Sequence, residues 1–163
     1  HLTASLEQRI GAARKLANKG VLVGFHFHPI VQYENYLHDY KKVYETLINT
    51  FDSKEVVLVS FGTLTFIKPV IQKLRSRDFK SKILQMPFED ANGKASYPMD
   101  IKKEMFKSAY ESFKPWHEDV YFYLCMEDHS LWKEVFGYEY ISNNQMEDMM
   151  KISYSEKIKN NRN

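Results

Sequence analysis

Val21-Leu22-Val23-Gly24-Phe25-His26-Phe27-His28, closed by Pro29, is the stretch on which the fold turns. Its first half is apolar at consecutive positions, as in a strand covered on both faces within a parallel sheet. Its second half alternates Phe with His, so one face becomes polar as the strand ends. Two further runs share this character: Glu55-Val56-Val57-Leu58-Val59-Ser60-Phe61, stopped by Gly62, and Val120-Tyr121-Phe122-Tyr123-Leu124-Cys125. Helical spacing surrounds the first two. Leu6, Ile10, Ala13 and Ala17 recur behind Ser5 and Gln8, a capping-box pair, and Gly20 ends that helix. Tyr36, Tyr40, Val43, Tyr44, Leu47 and Ile48 stripe a second helix from about Tyr33 to Phe51, and a short one covers Pro69 to Arg75. The alternation predicts an α/β fold with a parallel sheet or partial barrel. Ligands sit where such strands end, which marks His26, His28, Ser60 and Thr63.

The order changes after the second strand. Ile83 to Glu89 and Lys94 to Tyr97 flank Asp90-Ala91-Asn92-Gly93, and Asn-Gly predicts a β-hairpin arm. A helix over about Asp100 to Phe113 precedes the third strand, and a short helix through Leu131, Trp132, Val135 and Phe136 stops at Gly137. Residues 1–150 read as one α/β domain, and residues 151–163 as a polar, basic, frayed tail.

Composition removes several classes of function. Cys125 is the single cysteine, so an intramolecular disulfide, a thiolate zinc site and an iron–sulfur cluster are all beyond this chain's own ligands, and a reducing, cytoplasmic setting is expected. No apolar run reaches the roughly 20 residues of a membrane span. Neither a phosphate-binding loop nor a nucleophile elbow is present. The chain opens almost inside its first helix, which reads as a fragment. Tyr and Phe, at 11 each, exceed what a core needs and favour a surface that meets a ligand.

Two constellations carry chemistry. His26 and His28 share a strand face, as pocket lining or, with a third ligand such as Glu34 or His38, as a zinc site. Lys68, Lys73, Arg75, Arg77, Lys80 and Lys82 crowd one stretch against Asp78 alone, a solvated helix face or a phosphate-binding patch. Lys94, at the hairpin, and Tyr97, behind it, suit a wedge against bases. Cys125 reads as buried and structural, and Glu127 as polar lining just past the strand.

Five blocks together resemble the C-terminal half of spore photoproduct lyase and its SplB-like radical S-adenosylmethionine relatives. They are Thr3 to Ala13, Gly24 to Ile30, Ser60 to Leu64, Asn92-Gly93-Lys94 with Tyr97-Pro98, and Tyr123 to Glu127 with Trp132 to Gly137. The resemblance implies half of a partial (β/α) barrel. It implies S-adenosylmethionine at the strand C-termini, lined by His26, His28, Ile30 and Ser60, and a [4Fe-4S] cluster on a CxxxCxxC loop in the parent protein. In the family, reductive cleavage yields a 5′-deoxyadenosyl radical that starts reversal of a thymine dimer in DNA. The cluster cysteines and the family's hydrogen-donor cysteine are absent here, as is an Arg-Tyr pair at the hairpin tip. The chain is therefore expected to bind neither cofactor alone and to carry no catalytic residue. Its expected partners are a missing N-terminal half, DNA through Lys68, Lys73, Arg75, Arg77, Lys94 and Tyr97, and a second copy through an exposed strand edge. The competing readings are a free-standing nucleic-acid-binding α/β module using the basic patch and hairpin, and a zinc hydrolase on His26 and His28.

Overall fold

The computed structural model describes residues 3–77, 83, 87–91 and 93–160. Helix α1 (Leu6–Ala17) leads into β1 (Val23–Ile30), α2 (Tyr36–Thr50) and β2 (Val56–Thr63). Strand β3 (Thr65–Ile67), α3 (Lys68–Arg75), β4 (Glu89–Ala91) and β5 (Lys94–Ser96) form an excursion. Then come α4 (Met99–Ser112), β6 (Tyr121–Leu124), α5 (Ser130–Phe136) and α6 (Asn143–Asn160). The three apolar strands make a parallel sheet in the order β1-β2-β6, so the predicted α/β class and partial, parallel architecture hold. The excursion folds as a separate antiparallel sheet in the order β3-β5-β4.

Alternation along the strands sorts the residues into two faces. Phe25, Phe27, Phe61 and Phe122 turn to the helices. There Phe27 meets Tyr44 edge-on at 4.9 Å between ring centres, Phe25 meets Phe51 at 5.1 Å, and Phe113 sits 5.1 Å from Tyr44. Phe61, Phe106 and Phe113 are fully buried in this layer. Burying one such ring contributes about 2–3 kcal/mol, so the helix side of the sheet dominates stability. The opposite face carries the His, Ser, Gly and Tyr positions.

The Ser5–Gln8 capping box forms as predicted, with both reciprocal bonds made. Strand β1 does not stop at Pro29 but runs on to Ile30. Pro29 is tolerated because β1 has a partner on one side only and its register with β2 shifts between Phe27 and Ile30. Strand β3 was not foreseen: three residues give too short an alternation to register.

The frayed tail is a correction. Residues 151–160 are the second half of α6. Lys157 holds that helix down, its ammonium donating to the carbonyls of Ser53 (2.6 Å), Val56 (2.5 Å) and Asp119 (2.5 Å) at the N-terminal ends of β2 and β6. A helix anchored by a buried polar contact leaves no apolar stripe to read. Residues 161–163 lie outside the described residues. So do much of the predicted strand over Ile83 to Glu89, Asn92 at the hairpin tip, and Asp78, Lys80 and Lys82.

Candidate functional site

Register sets the open face of the parallel sheet. His26 of β1 pairs with Ser60 of β2, which pairs with Tyr123 of β6, so these three form one row. His26 Nδ1 and Ser60 Oγ are hydrogen-bonded at 2.5 Å, and the Tyr123 ring stands edge-on to His26 at 6.4 Å. Ser60 is fully buried, whereas His26 is exposed. Ser60 therefore holds His26 from beneath the exposed face.

The next position along the open face is His28 of β1. Its ring lies over Gly62 of β2: a Cβ on Gly62 would stand 2.1 Å from His28 Nδ1 and 2.6 Å from Cε1. The same Cβ would stand 3.0 Å from the Cys125 carbonyl oxygen. Gly62 is thus the gap into which the imidazole settles, beside a backbone carbonyl.

Beside this face, along the free edge of β1, runs a cleft of about 660 Å³. Gly24 to Pro29 form its floor, Leu6, Arg9, Ile10 and Ala13 of α1 one wall, and Tyr33, Asp39, Tyr40, Val43 and Leu47 the other. That volume is within the range of ligand pockets. Most of the wall is apolar, with Arg9 and Asp39 as its charges. Burial, together with a hydrogen bond to Asp39, pushes the Tyr33 phenol up from its ordinary value.

A buried charged network lies at the C-terminal ends of β2 and β6. The Glu127 carboxylate accepts from the Thr63 N–H (2.8 Å), the Thr63 hydroxyl (2.7 Å) and the Lys102 ammonium (2.7 Å). The Glu127 and Lys102 side chains are 1% and 6% exposed. Met126, between Cys125 and Glu127, takes a left-handed φ of 60° and is 70% exposed. A non-glycine residue there is strained, a condition that clusters at functional sites. Burial, and then the Glu127 charge, push the Cys125 thiol up, away from the thiolate form that reacts.

The remaining candidates fall in two places. Ile30, expected beside a cofactor, is buried among the helix-side residues and lines neither the open face nor the cleft. Tyr97 is only 2% exposed, stacks 5.9 Å from Phe88, and accepts a hydrogen bond from the Gln32 N–H at 3.0 Å. It braces the loop after β1 and presents no surface to bases. Lys68, Lys73, Arg75, Arg77 and Lys94 are exposed, on α3 or flanking it and on β5. Lys68 is ion-paired with Asp90, which ties α3 to the hairpin. This basic element leaves β2 at its C-terminal end, the end where His28 and Glu127 lie. Among the described residues, no three His, Cys, Asp or Glu side chains come together as a metal site. Sequence reasoning missed Lys102 because a lysine in an amphipathic helix reads as solvated; its only signal was its place between Ile101 and Met105.

Parallel strands with α2 and α4 on one face, and an opposite face that α6 covers at Tyr121 but that stays polar and open at His26 and His28, define a partial α/β fold of the kind that binds ligands at its strand ends. A family model described as spore photoproduct lyase matches residues 1–111, and the chain belongs to that family. The matched span ends before β6, so the last of the five resembling blocks lies outside it. Among solved structures, the fold is similar to a cysteine-to-alanine variant of spore photoproduct lyase, with a TM-score of 0.59 and 21% identity. It is also similar to spore photoproduct lyase complexed with dinucleoside spore photoproduct, and to a double variant with bound AdoMet and the same dinucleoside, both with a TM-score of 0.56 and 21% identity. Each match covers 76% of this chain and 39% of the other, so the chain spans well under half the length of those proteins. No curated protein matches.

Proposed function

We propose that this chain is the C-terminal part of a radical S-adenosylmethionine DNA-repair lyase, forming the later strands of a partial (β/α) barrel. What supports the reading is family membership over the residues that carry the open, polar sheet face, including His26, His28, Ser60 and Gly62.

The residues present do not fit an iron–sulfur cluster. One half-buried thiol with a raised pKa supplies no set of thiolates. The cluster then belongs to the rest of the protein, and this part alone is not catalytic. S-adenosylmethionine does fit. His26 and His28 offer ring nitrogens on the exposed polar face near the C-terminal end of β1, and the Cys125 carbonyl oxygen lies beside Gly62. When bound with the cluster, it supplies the radical that acts on substrate. This chain's own groups orient that ligand: Ser60 sets the His26 ring and Gly62 seats His28.

DNA is the proposed substrate class. Lys73, Arg75, Arg77 and Lys94 are exposed on the excursion that leaves β2 at its C-terminal end, and in this reading they meet phosphates. Strands β1 and β6 each have a partner on one side only, and the proposed cover for β1 is the N-terminal half. A second copy of this chain on that edge is the competing arrangement, and light scattering separates the two. Among the described residues no helix is long and apolar enough to cross a membrane; a cytoplasmic location is proposed with the rest.

The test is the reading frame upstream of His1. The proposal requires an in-frame CxxxCxxC there; a frame that opens immediately before this chain would overturn it.

A further inference from the structure

The β6 end of the sheet is terminated in an unusual way. In a parallel ladder, a residue that donates its N–H to one strand accepts at its carbonyl from the N–H two residues further along that strand. The Cys125 N–H donates to the Phe61 carbonyl at 2.7 Å, so the ladder calls for the Thr63 N–H to donate to the Cys125 carbonyl. It does not: the Thr63 N–H goes to Glu127 Oε1 at 2.8 Å. Among the described residues, the Cys125 carbonyl receives no ladder hydrogen bond.

The consequences follow along the chain. Cys125 and Glu127 are both anchored to β2, two residues apart at each end. Met126 lies between the anchors, with its left-handed backbone and its side chain turned out. The released carbonyl oxygen comes to the Gly62 gap, where the His28 ring also lies.

We propose that Glu127 is a positioning residue that keeps the Cys125 carbonyl out of the ladder, making it a hydrogen-bond acceptor for a ligand N–H donor beside His28. The ligand class is one with an ammonium, amino or amide N–H to offer. Lys102 compensates the carboxylate, because a buried carboxylate without a cation would be costly. Naming S-adenosylmethionine as the probe rests on the proposed function; the positioning claim does not.

Two paired variants separate positioning from stability. Both remove the buried ion pair whole and so leave no lone charge. Lys102→Met with Glu127→Gln retains an oxygen for the Thr63 N–H. Lys102→Met with Glu127→Leu removes it. Through-hydrogen-bond coupling between the Thr63 nitrogen and the Cys125 carbonyl carbon should be absent in the wild type and in the Gln pair, and should appear in the Leu pair. Titration of the whole, cluster-loaded protein with S-adenosylmethionine should give about tenfold weaker binding in the Leu pair alone, the loss of roughly one hydrogen bond. Coupling already present in the wild type, no coupling in the Leu pair, or equal affinity in both pairs would overturn the proposal. If the whole, cluster-loaded wild-type protein does not bind S-adenosylmethionine, the cofactor reading fails, and the coupling measurement still decides the positioning claim.

Discussion

Gly62→Ala asks whether the His28 site is built by a missing side chain. The added Cβ would lie 2.1 Å from His28 Nδ1 and 2.6 Å from Cε1, against ordinary contacts of about 3.5 Å. The imidazole must retreat by roughly 1.4 Å. The Cys125 carbonyl oxygen, 3.0 Å from the same Cβ, cannot retreat as far, because the Cys125 N–H is tied to Phe61. His28 is exposed, so its ring can swing into solvent. The stability loss should therefore lie near the low end of the overpacking range, about 1 kcal/mol, while the seat of the ring is lost. Gly24→Ala is the control: its Cβ meets only the branched end of Leu58, at 3.0 Å, and should leave His28 in place. Urea unfolding gives the stability, and side-chain NMR of the histidine rings gives the seat. His28→Ala should relieve Gly62→Ala, with a coupling of about 0.5 kcal/mol or more in the double-mutant cycle. An unchanged His28 spectrum in Gly62→Ala, or strict additivity with His28→Ala, would refute the packing on which the site rests.

Three further outcomes can be measured. Lys102→Ala leaves the Glu127 carboxylate buried without its cation and should cost about 3–5 kcal/mol by denaturant unfolding, whereas the paired Lys102→Met, Glu127→Leu change should cost much less. Burial pulls the Lys157 ammonium down from 10.5 to about 8, so between those values the folded chain binds fewer protons than the unfolded one. Its contribution is complete above the unfolded value and is lost as pH falls through about 8. Stability should therefore rise from about pH 8 to about pH 9.5, by at most about 1.4 kcal/mol per pH unit, and Lys157→Met should flatten that rise in unfolding curves. Above that window the buried phenols of Tyr36 and Tyr154, each raised to about 12, work in the opposite direction. Lys73→Glu with Arg77→Glu should weaken oligonucleotide binding and lower its salt slope by about one per lost phosphate contact, whereas Lys68→Ala, already paired with Asp90, should change it little.

Residues whose partners are near in sequence, or whose pattern repeats, were legible. The three apolar strands announced the parallel sheet, and alternating Phe and His placed His26 and His28 on its open face. Tyr97 misled because a tyrosine behind a hairpin looks the same whether its hydroxyl meets a base or the Gln32 N–H. The burial of Ile30 was hidden because the strand reads as stopping at Pro29, whereas it continues one residue further. Lys102 and Lys157 were hidden for one shared reason. Each is a lysine whose partners, Glu127 or the carbonyls of Ser53, Val56 and Asp119, come from distant segments, and nothing local distinguishes a buried ammonium from a solvated one.

Repair of spore-photoproduct DNA by the whole protein, with its cluster assembled and S-adenosylmethionine supplied, is the measurement closest to the proposed role. Wild-type protein should restore thymines, and His28→Ala and Gly62→Ala should each lower the rate at least about tenfold while the chain stays folded. Full repair by both variants, or none by cluster-loaded wild-type protein, would contradict the assignment of this sheet face to the active site of such a lyase.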